Sequence, residues 1–183
     1  DSIPDALTLI KSLKPGETKL HNLIPKNFTS YLSLLIGNVG QLEDNFKNYS
    51  SKINIPLSKI DFSPLNSVSE IGWVSFGMEK SVIFQLNSLE DIPYFTSGEA
   101  EPKTYRAATY QKILLPKDLI SMLSSFGQKI SPEWSCQYDD YLILSETESG
   151  IKNLLSNYLD KNTLGKNPNF KTLNDRLANE SSF

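Results

Sequence analysis

The residue types able to do acid–base or metal chemistry are few in this sequence, and their spacing does not converge. Asp139-Asp140 and the pair Glu146/Glu148 flank the apolar run Tyr141-Leu142-Ile143-Leu144. Clustered carboxylates can serve as a general acid and base, or as oxygen ligands for calcium. Adjacent residues on a strand point to opposite faces, so Asp139 and Asp140 diverge. No Asp-x-Asp-x-Asp-Gly loop is present. The plainer reading is that these are solvated strand ends and partners of a helix dipole. His21 and Cys136 are the one histidine and the one cysteine, the ingredients of a thiol hydrolase. Cys136 lies in a strand-like run between Trp134 and Tyr138, the setting of a packed, inert thiol, and His21 lies in a connector. Single copies exclude an internal disulfide, a Cys-based zinc cluster and a multi-His metal site. Gly37-Asn38-Val39-Gly40 stands where a strand gives way to a helix. It has neither the glycine spacing of a dinucleotide fingerprint nor the Gly-Lys-Ser/Thr of a P-loop, and reads as a turn.

The aromatic residues offer recognition chemistry instead. Trp73, Phe76, Tyr94, Phe95, Tyr105, Tyr110, Trp134 and Tyr138 fall in or near strand-like segments. Most are expected in the core or half-buried on a sheet. Tyr94-Phe95, in a loop after Pro93, is the pair expected to be exposed, and it is the candidate ligand-binding pair. Lys103, Arg106 and Lys112 are scattered along the chain and outline no basic groove. A net charge of −3 with mixed signs leaves no electrostatic footprint for nucleic acid. No apolar run approaches the length of a membrane span, and these residues read as lacking a signal-peptide pattern, which says little about the parent gene. Nothing in the composition calls for a cofactor.

The elements that must position these residues are clearer than the chemistry. Tyr141–Leu144 is a short apolar run suited to a buried strand. Thr147 follows as an N-cap with Glu148 at the positive end of the dipole. Ile151, Leu154, Leu155, Tyr158 and Leu159 then share one helical face. A similar unit precedes it, with Tyr31 and Leu34 offset by 110 residues from Tyr141 and Leu144. Leu42, Phe46, Asn48 and Tyr49 are offset by 109 from Ile151, Leu155, Asn157 and Tyr158. This is a candidate βα internal duplication.

In chain order, the pattern predicts a helix over 3–13, a connector anchored by Leu20, Leu23 and Ile24, a strand over 29–36 and a helix over 40–52. A turn is expected near 58–62 and a hairpin at 69–76 and 81–86. A helical start at 88–92, a strand over 105–115, and a helix from Pro116 to Phe126 with Gly127 at its C′ position follow. Trp134–Tyr138 leads into the second βα unit, and Pro168 opens a last helix to about Leu177. With 183 residues and no break in composition, the expected architecture is a single α+β domain. Its sheet should be largely antiparallel, with helices packed on one face.

The wording of several segments resembles the bacterial envelope family DUF3352. Leu142-Ile143-Leu144-Ser145, a helix, Leu159-Asp160-Lys161-Asn162-Thr163-Leu164 and Asn167-Pro168-Asn169-Phe170 carry the likeness, as does Ile24-Pro25-Lys26-Asn27-Phe28-Thr29-Ser30-Tyr31. The last segment departs from the family pattern at Phe28. The resemblance spans about two thirds of the chain and implies a portion of a larger extracytoplasmic protein, often with a membrane or lipid anchor, in the periplasm or at the cell surface. It implies no activity. The reading that follows is a non-enzymatic extracytoplasmic binding or scaffold module, its partner an envelope protein or other domains of the parent chain. The alternative is an envelope hydrolase using acidic residues near Glu146.

Overall fold

The computed structural model describes residues 9, 17–52, 61–88, 101–126 and 128–180. Seven strands form one sheet: β1 (Ser30–Leu35), β2 (Val68–Phe76), β3 (Glu79–Leu86), β4 (Lys103–Tyr105), β5 (Ala108–Lys112), β6 (Trp134–Tyr138) and β7 (Tyr141–Ser145). Their order is β1-β2-β3-β7-β6-β5-β4, and every neighbouring pair is antiparallel. Among the described residues four α-helices accompany it: α1 (Val39–Lys52), α2 (Lys117–Ser124), α3 (Glu148–Leu159) and α4 (Pro168–Glu180). The fold is α+β.

The central strands are Val-, Ile-, Phe- and Leu-rich, and their period of two sends apolar side chains to both sides. Val82 and Phe84 join one core with Ile71, Trp73, Leu142 and Leu144. Ile83 joins another with Val74, Tyr141 and Ile143. The first core is closed by Leu42 and Phe46 of α1 and Leu119, Met122 and Leu123 of α2. The second is closed by Ile151, Leu154 and Leu155 of α3, by Leu20, Leu23, Ile24 and Leu164, and by Phe170 of α4. Helices therefore line both faces, which corrects the one-face arrangement expected from the sequence. The physical reason is the run Tyr141-Leu142-Ile143-Leu144: apolar at consecutive positions, it needs cover above and below.

Two further expectations change. The strand expected over 105–115 is a hairpin, β4–β5, because Arg106 adopts a left-handed backbone (φ 52°) and reverses the chain. Pro116 is the N-cap of α2 and not its first helical residue. The internal repeat also lies elsewhere than Tyr31 and Tyr141 suggest. β1-α1-β2-β3 and β5-α2-β6-β7 are the same strand–helix–hairpin unit. The order β1-β2-β3 against β7-β6-β5 is what a two-fold axis through the β3–β7 pairing produces, with Ile83 opposite Ile143 at its middle. Such an axis, normal to the sheet, keeps α1 and α2 on one face, where they are found. By contrast β1 is an edge strand and β7 a central one, and α1 and α3 lie on opposite faces.

Candidate functional site

The helix α3 organises the second face. Thr147 caps it as expected: its Oγ1 accepts from the Gly150 amide at 3.0 Å. Gly150 lets the first turn sit against Ser145, since a Cβ there would collide with the Ser145 hydroxyl. Ser145 is fully buried at the end of β7 and bonds to the Ser81 hydroxyl at 3.0 Å. Helix and sheet are thus fixed to one another by small residues.

On one flank of α3 lies a lattice of cations and aromatic rings. The Glu148 carboxylate accepts from Lys152 Nζ at 2.6 Å, Lys103 Nζ at 2.7 Å and the Tyr110 hydroxyl at 2.8 Å. These three donors, Lys103 foremost, hold its carboxyl down to about 2. Lys103 Nζ stands 4.9 Å from the centre of the Trp134 ring and Lys112 Nζ 5.5 Å from it. Lys152 Nζ lies 5.7 Å from both the Tyr105 and the Tyr110 rings. The Tyr105 hydroxyl bonds to Ser156 of α3 at 2.8 Å, and Arg106 pairs with Asp160 at 2.8 Å. Register explains the gathering. Lys103 is opposite Tyr110, and Lys112 is opposite Trp134, so all four share the face that α3 covers.

On the other flank is a pocket of about 470 Å³ lined by Asn22, Tyr141, Tyr158, Leu159, Lys161, Thr163 and Lys166. Two short 3₁₀ turns, Leu20–Asn22 and Leu164–Lys166, contribute Asn22 and Lys166, while β7 contributes Tyr141 and α3 Tyr158 and Leu159. Leu164 N donates to Ile24 O at 2.6 Å, Lys26 N to Asn162 O at 3.2 Å, and Pro25 bridges to Thr163. Gly165 is needed at this junction, because a Cβ would strike Asn22 and His21. Below, the buried Glu70 carboxylate of β2 accepts from Lys19 N at 2.6 Å and Leu20 N at 3.1 Å, fixing the first turn to the sheet. The Tyr158 hydroxyl donates to Asp139 Oδ2 at 2.9 Å, and its ring meets Tyr141 edge-on at 5.8 Å. Burial raises the Tyr141 phenol to about 12.

A second concavity, about 910 Å³, lies on the first face between α1, α2 and the start of β3, and is lined by Tyr49, Lys80, Ile120, Lys129, Ile130, Glu146 and serines 121, 124, 125 and 131. Glu146, the acidic residue of the hydrolase reading, accepts here from the Ser131 amide at 3.0 Å. The hydroxyls of Ser121, Ser124 and Ser125 donate to backbone carbonyls of Lys117, Ile130 and Ser121. Those protons are held by the backbone, not by a carboxylate base.

The other sequence-derived candidates fall as follows. Tyr94 and Phe95, like the helical start at 89–92 and Gly127, lie outside the described residues, and of the helix expected over 3–13 only Leu9, fully buried, is described. Cys136 is buried in β6, and desolvation pushes its thiol up to about 12, the inert thiol its context suggests. His21 is half-buried against Phe170, 5.4 Å between ring centres, and burial lowers its pKa. Asp139 and Asp140 form the β6–β7 turn, where Asp139 takes a left-handed backbone (φ 49°). Asn38 of the Gly37–Gly40 turn accepts from the Gln41 amide at 3.1 Å, as a helix cap does. Among the described residues no cluster of His, Cys, Asp and Glu side chains could hold a metal ion. No helix among them is long and apolar enough to cross a membrane. Lys103, Arg106 and Lys112, scattered in the sequence, are brought together by the β4–β5 hairpin, whose turn residues Arg106-Ala107 carry none of the usual Asn-Gly or Asp-Gly signal.

No protein-family model, curated protein or solved structure matches this chain.

Proposed function

We propose that the chain is a non-enzymatic binding module, and that it docks an acidic segment of a protein partner on the lysine–aromatic flank of α3. The observation that carries the reading is the half-buried Trp134 ring with the ammonium groups of both Lys103 and Lys112 over it. Around it, four cations (Lys103, Arg106, Lys112 and Lys152) face two carboxylates, Glu148 and Asp160. The surplus is positive on a protein whose overall charge is negative. Trp, Tyr and Arg are the residue types over-represented where binding energy concentrates. A lysine on the short edge strand β4 also opposes pairing with another strand, so the surface suits acidic side chains and not an added strand.

The same proposal places the module outside the cytoplasm, as a part of a DUF3352-like envelope protein whose partner is another envelope protein or a neighbouring domain. It rests on the segments from Ile24 to Tyr31 and from Leu142 to Phe170. A labelled Asp/Glu-rich peptide containing one aromatic residue tests the docking surface by fluorescence anisotropy. Binding should weaken with salt and fall at least tenfold in Lys112→Glu, whose ammonium touches the Trp134 face. Equal affinity for a neutral peptide of the same length, or no loss in Lys112→Glu, would sink the reading.

A further inference from the structure

We infer that the pocket between Tyr141, Tyr158, Asn22, Lys161 and Lys166 is a second binding site, for a small ring-bearing ligand that carries a carboxylate or phosphate group. It lies on the opposite flank of α3 from the docking surface and does not depend on that reading.

Its size comes first. About 470 Å³ is within the range of small-molecule sites, roughly 300–1,000 Å³. Its chemistry comes second. The lining offers two ammonium groups, a carboxamide, two phenols and a threonine, with no carboxylate among the lining residues. Asp140, Glu70 and Asp139 stand close enough to act on Tyr141; of these, Asp139 accepts from Tyr158 and Glu70 from the amides of Lys19 and Leu20. Two ammonium groups beside the Asn22 amide and the Tyr141 phenol match an anion, and the edge-on pair of tyrosine rings gives an apolar wall for a ring.

Preorganisation comes third. Asn22 and Thr163 sit on segments tied by the Leu164–Ile24 bond, the Pro25–Thr163 bridge and the Glu70 carboxylate. A site whose walls are fixed before binding loses less freedom on binding.

A fourth observation is independent of these. Among the described residues, the non-glycine positions with a left-handed backbone are Arg106, Asp139 and Lys161. Arg106 and Asp139 turn the β4–β5 and β6–β7 hairpins, where reversal of the chain calls for this backbone, whereas Lys161 follows α3 and lines the pocket. Such backbone is disfavoured for side-chain-bearing residues and gathers at functional sites. At Lys161, just past the helix, glycine is the residue this conformation favours; a lysine there places a cation at the pocket instead.

The test is an NMR titration of the full chain with glucuronate, glucose 6-phosphate and, as neutral control, glucose, following the Asn22 carboxamide and the Thr163 amide. At least one anionic probe should give saturable shifts, glucose none. Response to glucuronate alone identifies a carboxylate site, and response to glucose 6-phosphate alone a phosphate site. In Lys161→Gly/Lys166→Gln the dissociation constant should rise at least tenfold with no loss of Tm, because glycine suits the backbone at 161. No saturable shift with either anion, equal response to glucose, or unchanged affinity in the double variant would overturn the proposal. The docking surface is untouched by these substitutions, so acidic-peptide binding measured on the same samples reports separately.

Discussion

The two faces of the sheet are built on different principles. The first is closed by apolar filling: Trp73, Phe84, Leu142 and Leu144 from the strands meet Phe46, Leu119, Met122 and Leu123 from the helices. Its main polar interaction at depth, the Trp73 Nε1 bond to Leu123 O at 3.0 Å, ties the largest side chain to the end of α2. The second face has an apolar floor, but its roof is held by polar anchors: Glu70 under the 3₁₀ turn at Leu20–Asn22, Ser145 and Thr147 under α3, Glu148 to β4 and β5. Apolar packing is non-directional and sets stability. Hydrogen-bonded anchors fix position, and it is the second face that carries both candidate binding surfaces.

That contrast is broken or sharpened by substitution. The largest expected effect is on the first face. Trp73→Ala removes a fully buried ring, leaves a cavity beside Phe126 (ring centres 5.0 Å apart) and orphans the Leu123 carbonyl. A loss of about 3–5 kcal/mol is expected by urea denaturation. Next comes Glu70→Ala on the second face. It strips the acceptor from the amides of Lys19 and Leu20, at a cost of about 2–3 kcal/mol for charged hydrogen bonds lost and donors left unsatisfied. The two should differ in kind as well as size. Glu70→Ala should shift the NMR signals of Asn22 and its pocket neighbours, whereas Trp73→Ala should leave those shifts near wild type where the chain is folded. If Glu70→Ala costs as much as Trp73→Ala and leaves Asn22 undisturbed, the division of labour between faces is wrong.

Thr147→Ala is smaller. The side chain caps α3 at Gly150 N and also donates to Glu79 Oε1 at 3.3 Å. Loss of a cap typically costs about 1 kcal/mol. Thermal melts should show the decrease, and Thr147→Ser, which keeps the oxygen, should restore most of it.

The fold was largely legible because its signals are local. The strand-favouring runs of β2 and β3, the cap at Thr147 and the spacing Ile151-Leu154-Leu155 each depend on neighbours in sequence. The anchors Leu20, Leu23 and Ile24 are fully buried, as their apolar types imply. What was not legible is long-range. Nothing near Lys103 announces that it will stand over Trp134, thirty-one positions away, since that follows from the β4–β5–β6 register. Nor does Glu70, in a strand of apolar residues, reveal that its carboxylate will cap a turn fifty residues earlier. The repeat was misplaced for a related reason. Tyr31 and Tyr141 match in type, but symmetry is a property of strand order and face, which residue spacing does not encode.

The smallest effect concerns the docking surface itself and its dependence on pH. Glu148 is held near 2 in the folded protein, against an ordinary 4.5, first by Lys103 and then by Lys152 and Tyr110. A depressed folded value means that the ionised group stabilises the fold. The contribution is fully present above about 4.5 and fades as the pH falls toward 2. Both lysine partners are substantially exposed, so solvent and salt screen the gain and it should be small. The stability gap between wild type and Glu148→Gln should therefore be open at neutral pH, narrow across that acid window, and shrink in high salt. On the Thr147 cap, which involves no ionised group in the pair with Gly150, salt should act much less. Peptide binding should move the other way from stability: Glu148→Gln frees the Lys103 ammonium over Trp134 and the Lys152 ammonium over Tyr105 and Tyr110, so an acidic peptide should bind more tightly to the less stable variant. A surface whose only role is to hold α3 to the sheet would lose stability on this substitution and gain no affinity for acid.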